Sequence, residues 1–371
     1  MTKVLHISKF YPPYAGGIED VCRSFVQIIA ANSNIEQKVF CFTNSKENKY
    51  ETYEGIDVIR IGVCVEIASQ PISTTYKKEL TKIMNDFKPD IVHFHAPNPF
   101  ASYLLLSILP EKTKLIVHWH SDIVAQKYLY HLVKRTEKKL LRRSDTIIAT
   151  SPNYIEGSKP LQKFREKIIV IPNIIDSQKL EITPFVKEQA ENIKAQYNCP
   201  IILFVGRHVP YKGLEYLIKA EPKITENCVI LIGGSGKQTD YFKSICNSKK
   251  VIFLGRIPDE LLPAYYHASD IFAFPSVTKN EAFGVALAEA MYTKTPAVTF
   301  TIEGSGVNWV NLSEKTGIEV ENKNITKLAD AINILVKNHT LREKYAENAR
   351  QRVEENFTID RVKDMILDLY K

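Results

Sequence analysis

The chain has 371 residues, 44% of them hydrophobic and 25% charged, with a formal net charge of +7. That length suits two domains better than one, and the balance excludes a disordered chain. No apolar run approaches the roughly 20 residues that span a bilayer, and the six cysteines are scattered, without the close pairs of a zinc or redox motif.

The opening, Met1-Thr2-Lys3-Val4-Leu5-His6-Ile7, runs straight into a strand at 4–8, without the charged-then-apolar pattern of a secretory leader. A cytoplasmic protein with reduced, buried cysteines is expected. After a Pro12-Pro13 loop comes Tyr14-Ala15-Gly16-Gly17-Ile18-Glu19, which leads into a helix at 19–31. Paired glycines before a helix permit close backbone approach to a ligand, or an ordinary turn. They do not make a Gly-x-Gly-x-x-Gly fingerprint, which leaves a dinucleotide oxidoreductase remote. Strands follow at 37–42, 56–61, 91–94, 114–119, 146–150 and 168–171, with a helix at 75–87. His93 and His95 end one strand. Val117-His118-Trp119-His120-Ser121-Asp122 ends the next, with His120 placed to exchange a proton or hold a hydroxyl and Asp122 beside it. These histidines lack a tight metal-ligand spacing, and no metal is expected. Residues 127–143 form a basic amphipathic helix, with Lys134-Arg135, Lys138-Lys139 and Arg142-Arg143 between apolar positions. Its basic side is either a solvated face or a surface held against anionic lipid. Nothing points to nucleic acid.

A polar stretch at 176–198 separates this half from a second series of strands at 201–205, 229–232, 251–253, 271–274 and 295–299. Strands alternating with helices argue for parallel sheets covered by helices, and the restart argues for two α/β domains. Ligands of such sheets bind beyond the carboxyl ends of the strands, so the cleft between two such edges is the expected active site. After 201–205 come Gly206-Arg207-His208-Val209-Pro210-Tyr211-Lys212-Gly213, with a helix from about Leu214. Two cations on a short glycine-bounded loop suit a diphosphate, although alone they also describe a solvated loop. Gly233-Gly234-Ser235-Gly236 either lines a nucleotide pocket or turns the chain. After 271–274 comes Glu281-Ala282-Phe283-Gly284-Val285-Ala286-Leu287-Ala288-Glu289, an apolar helix expected to begin near Phe283. Glu281 precedes it, and Glu289, about two turns on, interrupts an apolar surface and so needs a partner.

Taken in order, Gly16-Gly17, the His120 segment, Pro172-Asn173-Ile174-Ile175-Asp176, Gly206-Arg207 with Lys212-Gly213, and Glu281 with Phe283-Gly284 and Glu289 resemble glycosyltransferase family 4. The resemblance implies the GT-B fold, two Rossmann-like doubly wound domains facing across a cleft. It divides the chain into an acceptor-side domain at 1–176, a nucleotide-sugar domain at 177–354 and a helix at 355–371 crossing back to the first domain. It also implies a retaining hexosyltransferase that needs no metal. Arg207 and Lys212 would bind the donor diphosphate, Glu281 the sugar hydroxyls and Glu289 the ribose. Phe283 and Gly284 would lie in the donor site, Gly16 and Gly17 would admit the phosphates, and His120 would contact the transferred sugar. Residues 303–310, Glu303-Gly304-Ser305-Gly306-Val307-Asn308-Trp309-Val310, depart from the family's usual Gly-Gly loop followed by a carboxylate. That variant is similar to bacterial mannosyl- and rhamnosyltransferases of surface-polysaccharide assembly, which implies GDP-mannose, with a UDP-hexose as the alternative donor. A lipid-linked or saccharide acceptor at the inner face of the membrane fits the same resemblance. The non-enzyme alternative is a sugar-nucleotide-binding partner subunit without catalysis.

Overall fold

The computed structural model describes residues 1–14, 16–123 and 127–371, without the side chains of 127–132. By internal contacts the chain forms two compact units, Met1–Pro172 with Val362–Lys371, and Asn173–Arg361. The first holds strands β1 (Lys3–Ile7), β2 (Glu36–Phe42), β3 (Lys49–Tyr53), β4 (Ile56–Ile61), β5 (Val65–Ile67), β6 (Gln70–Ile72), β7 (Ile91–Ala96), β8 (Lys114–Trp119), β9 (Thr146–Ala149) and β10 (Ile168–Val170). The second holds β11 (Ile201–Val205), β12 (Val229–Gly233), β13 (Val251–Gly255), β14 (Ile271–Phe274), β15 (Ala297–Phe300) and β16 (Gly317–Val320).

The first unit's sheet runs β10-β9-β8-β7-β1-β2-β4-β3. Every residue of β7 is buried, as a central parallel strand covered on both faces requires. To this parallel sheet β3, which the sequence reading does not include, adds an antiparallel edge strand beside β4. Its sequence, KYETY, is polar and mostly exposed, and charged side chains there discourage further strand addition. One of them, Glu51, meets the buried Arg60 of β4 at 2.6 Å. The helix Gly17–Asn32 buries Val21, Cys22, Phe25, Val26, Ile28 and Ile29, a stripe at three- and four-residue spacing that packs on the sheet.

The second unit's sheet is parallel throughout, in the order β13-β12-β11-β14-β15-β16. The polar stretch at 176–198 proves to contain the helix Pro184–Tyr197, which buries Val186 and Ala190. Thr183 caps it, its hydroxyl accepting from Val186 N at 3.2 Å, and Pro184 at the first turn lacks only an N–H the helix does not use. The single helix expected at 355–371 is likewise two pieces. His339–Asn356 ends at Phe357, whose carbonyl accepts from Ile175 N at 2.9 Å, and a separate helix spans Ile359–Asp368. Tyr370 beyond it meets His93 Nδ1 of β7 at 2.6 Å, and Lys114 Nζ donates to Leu369 O at 2.7 Å. Among the described residues, no helix is long and apolar enough to cross a membrane.

Candidate functional site

In the second unit β11 and β14 are neighbours, with β12 and β13 to one side and β15 and β16 to the other. The winding direction reverses between them, and the crevice beyond their carboxyl ends is where such a sheet binds ligands. The loops after these two strands are tied together: Val277 N donates to Tyr211 O at 2.9 Å. Gly213 sits at φ +66°, and a Cβ there would collide with Pro275 O, so the approach requires glycine. Lys212 Nζ thereby pairs directly with Glu281 Oε2, the side chains being 12% and 11% exposed. The same ammonium lies 4.9 Å from the centre of the Phe274 ring, and Ser276 Oγ donates to Glu281 Oε2 at 3.3 Å. Phe274, the last residue of β14, and Ser276, two residues beyond it, carry no sequence signal of their own. Arg207 is exposed on the first loop, its Nη2 donating to Tyr211 OH at 3.1 Å. The glycine run at 233–236 turns the chain tightly against that loop: a Cβ on Gly234 (φ +117°) would strike Gly206 O, and His208 N donates to Ser235 O at 3.0 Å.

The helix after Glu281 spans Val285–Tyr292, starting two residues later than expected. Gly284 at φ +93° precedes it, a left-handed geometry that resets the chain direction and favours glycine. Phe283 is 1% exposed and packs edge-on against Trp309 and Phe357, with centroids at 6.3 and 5.2 Å. Its ring belongs to the core. The expected partner of Glu289 is Tyr266, whose hydroxyl donates to Oε2 at 3.0 Å. Burial, with Glu289 beside it, pushes the Tyr266 phenol well above its ordinary value. The departing loop at 303–310 supports the same strip of chain: Ser305 Oγ donates to Glu281 O, and Gly306 N to Ala282 O at 3.0 Å. The site therefore presents one exposed guanidinium, one buried ammonium–carboxylate pair and a second carboxylate held by a phenol. Cations of this kind can receive anionic oxygens, and the carboxylates hydroxyls.

In the first unit the winding reverses at β1, which lies between β2 and β7. Gly17 opens the helix after β1 with no atom of the described residues within 4 Å of a Cβ built on it, whereas at Gly16 the Glu19 carboxylate would meet a Cβ. Gly16 has extended backbone at φ 174°, which any residue adopts. His120 follows β8 and is 6% exposed. Asp122, two residues on, accepts from Trp119 Nε1 at 2.9 Å and from Ser158 Oγ at 2.6 Å, fixing the turn. The partner of His120 is His95, Nε2 to Nδ1 at 2.9 Å. His6, His93, His95 and His118, all fully buried, complete a ladder of imidazoles. The strand register explains it: His6 pairs with His93 and His95 with His118, so alternation places all five rings on one face. Burial lowers His120 to about 3 and His6 to about 4, and His93, His95 and His118 well below the ordinary imidazole value. The five are neutral near pH 7. Ring nitrogens of His93, His95 and His118 lie within 4.8 Å of one another, a grouping of metal-ligand type. Within that grouping His93 stacks on His95 at 4.5 Å and on His118 at 5.6 Å.

Two family models match, one in each half of the sequence: "Glycosyltransferase Family 4" over residues 15–179 and "Glycosyl transferases group 1" over 186–352. The O-antigen chain mannosyltransferase C of Escherichia coli is 32% identical over 371 residues, covering 99% of this chain and 98% of that one. The D-rhamnosyltransferase WbpZ of Pseudomonas aeruginosa is 29% identical, covering 96% and 92%. Among solved structures, the sucrose-phosphate synthase of Thermosynechococcus elongatus superposes with a TM-score of 0.83 at 20% identity, over 100% of this chain and 98% of that one. That likeness is one of fold. Alike along almost its whole length to a family member, and with a doubly wound sheet in each unit, the chain belongs to glycosyltransferase family 4, has the GT-B fold and is a glycosyl-transferring enzyme.

Proposed function

We propose that this enzyme transfers mannose from GDP-mannose, with retention of configuration, to a saccharide or lipid-linked acceptor of a bacterial surface polysaccharide. The observation that carries the donor site is the buried Lys212–Glu281 pair at the point where the sheet winding reverses. In this reading Lys212 and Arg207 bind the diphosphate and take up its charge as it leaves, the task that a metal ion performs elsewhere. Glu281, with one oxygen on Lys212 and Ser276, turns the other to sugar hydroxyls, and the main chain around Phe283 and Gly284 borders them. Glu289, oriented by Tyr266, accepts from the ribose. Gly16 and Gly17 leave room for phosphate, and His120 contacts the sugar. The mannosyl preference is supported by the relatives' names and by the loop at 303–310. Incubation with a panel of GDP- and UDP-hexoses tests it, with nucleotide release and thermal shift as readouts. Response to GDP-mannose is expected, and response to UDP-hexoses alone would overturn the donor assignment.

The acceptor reading places the enzyme at the inner face of the membrane through the helix Lys127–Arg143. Leu140 and Leu141 are buried there, while Lys134, Arg135, Lys138, Lys139 and Arg142 are exposed. The part of the basic segment at 127–132 lies outside the described side chains. Each surface cation near anionic lipid contributes about 1 kcal/mol, so pelleting with phosphatidylserine vesicles at low salt is expected, with release at high salt. No salt-sensitive pelleting would reject the membrane contact.

A further inference from the structure

Glu281, Ala282 and Phe283 are each held by one loop. That loop follows β15 and is closed on itself by Asn308, whose Nδ2 donates to Phe300 O at 3.0 Å while its Oδ1 accepts from Ile302 N at 2.8 Å. From this clasp Ser305 Oγ donates to Glu281 O, Gly306 N donates to Ala282 O at 3.0 Å, and the Trp309 ring meets Phe283 at 6.3 Å. The groups themselves fix the direction of each bond. A main-chain N–H only donates and a carbonyl only accepts, so the Ser305 hydroxyl accepts from Val307 N at 3.2 Å and gives its one proton to Glu281 O. Ser305 is fully buried. Glu281 is held from other sides as well: its N donates to Thr278 O at 3.1 Å, and its Oε2 meets Lys212 and Ser276. Lys212 and Ser276 thus fix one oxygen of the carboxylate, and Ser305 fixes the peptide that follows its Cα.

We propose that Ser305 is a positioning residue for Glu281: its hydroxyl pins the Glu281 carbonyl so that carboxylate Oε1 faces the hydroxyls of the transferred sugar. The proposal rests on the reading that Glu281 binds those hydroxyls. Its consequence is selective. Ser305 acts on the segment assigned to the sugar, whereas Arg207, Lys212 and Glu289, assigned to the diphosphate and ribose, stand on other elements. Loss of the pin is therefore felt by the sugar half of the donor, since a misplacement of about 1 Å at a reacting centre is enough to lower the rate. The alternative is a role in the turn alone. There, accepting from Val307 N completes the entry to the short helix Val307–Val310, and its loss lowers stability without regard to ligand.

Kinetics with GDP-mannose and calorimetric binding of GDP, both on the full-length enzyme, separate the two roles. Ser305→Ala should lower kcat/KM for GDP-mannose roughly tenfold, the scale of one hydrogen bond. Its Kd for GDP should stay within about twofold of wild type. Equal losses in GDP affinity and in kcat/KM, or wild-type values of both, would overturn the proposal. A double-mutant cycle gives the second test. In a Glu281→Ala background the carboxylate is gone, and Ser305→Ala should cost less than about twofold more. An undiminished tenfold loss there would show that Ser305 acts by another route, and would also overturn the proposal. Ser305→Cys, with a weaker donor of similar size, takes the place of alanine in the same cycle if the alanine variant does not fold. The underlying reading fails separately: if Glu281→Ala alone keeps wild-type kcat/KM, its carboxylate binds no sugar hydroxyl, and the positioning role falls with it.

Discussion

Lys212 and Glu281 neutralise one another in a place where neither could remain charged alone without cost. Lys212→Ala leaves the carboxylate unpaired, so stability should fall by at most the ~3–5 kcal/mol of breaking a buried pair. Transfer should fall more, about 100- to 1,000-fold in kcat, because a donor to the developing diphosphate charge is lost. A Lys212→Met, Glu281→Leu double variant should recover stability but not transfer. Recovery of transfer would show that the pair is structural only, and steady-state kinetics beside thermal melts separates the two. Tyr266→Phe isolates the second carboxylate: it removes one donor from Glu289 without changing volume. A hydrogen bond to a charged group contributes about 1.5–3 kcal/mol, so donor KM should rise roughly tenfold with kcat little altered.

The two site loops work as one element because their main chains touch. Gly213 has left-handed backbone and lies against Pro275 O, whereas Gly284 has the same kind of backbone and would place a Cβ 3.1 Å from the Phe274 ring. For Gly284→Ala the expected loss is the roughly 1–2 kcal/mol of left-handed backbone, since a ring edge can give by a few tenths of an ångström. Gly213→Ala should cost more, because the obstacle is a carbonyl on the other loop. It should also abolish transfer by separating Lys212 from Glu281. Equal melting temperatures for the two variants would contradict this coupling. Gly213 follows Lys212 and Gly284 lies three residues after Glu281, but what each glycine avoids is visible only when the loops are brought together.

Across the whole molecule, the neutral imidazole ladder sets how stability responds to acid. In the unfolded chain these histidines bind protons near their ordinary value of 6.5, whereas folded His120 and His6 do so only at about 3 and 4. Between about pH 6.5 and 4 the unfolded state holds more protons, so stability rises with pH across that window and is lost as pH falls through it. The melting temperature should drop from pH 7 to pH 5. His118→Phe should reduce the drop, since both His118 nitrogens are buried without partners among the described residues and its ring stacks on His120. A melting temperature with the same pH slope in both proteins would show that the ladder does not titrate as described.

Much of this architecture was legible in the sequence, because hydrophobic period and strand-end glycines are local. The strands at 56–61, 114–119, 201–205 and 271–274 and the charged positions just after two of them follow from side-chain alternation and turn chemistry. The polar edge strand β3 and the capped helix Pro184–Tyr197 did not stand out, since neither buries enough apolar surface to mark a period. Pairing is another matter. Parallel strands are joined by long crossovers, so chain order does not state that β11 lies beside β14, and only that adjacency turns Lys212 and Glu281 into a buried pair. The histidines show the same division. A period of two already puts His93 with His95 and His118 with His120 on shared faces. Their meeting in one ladder, with His95 bonded to His120, was decided by strand register, which acts between segments far apart in the chain.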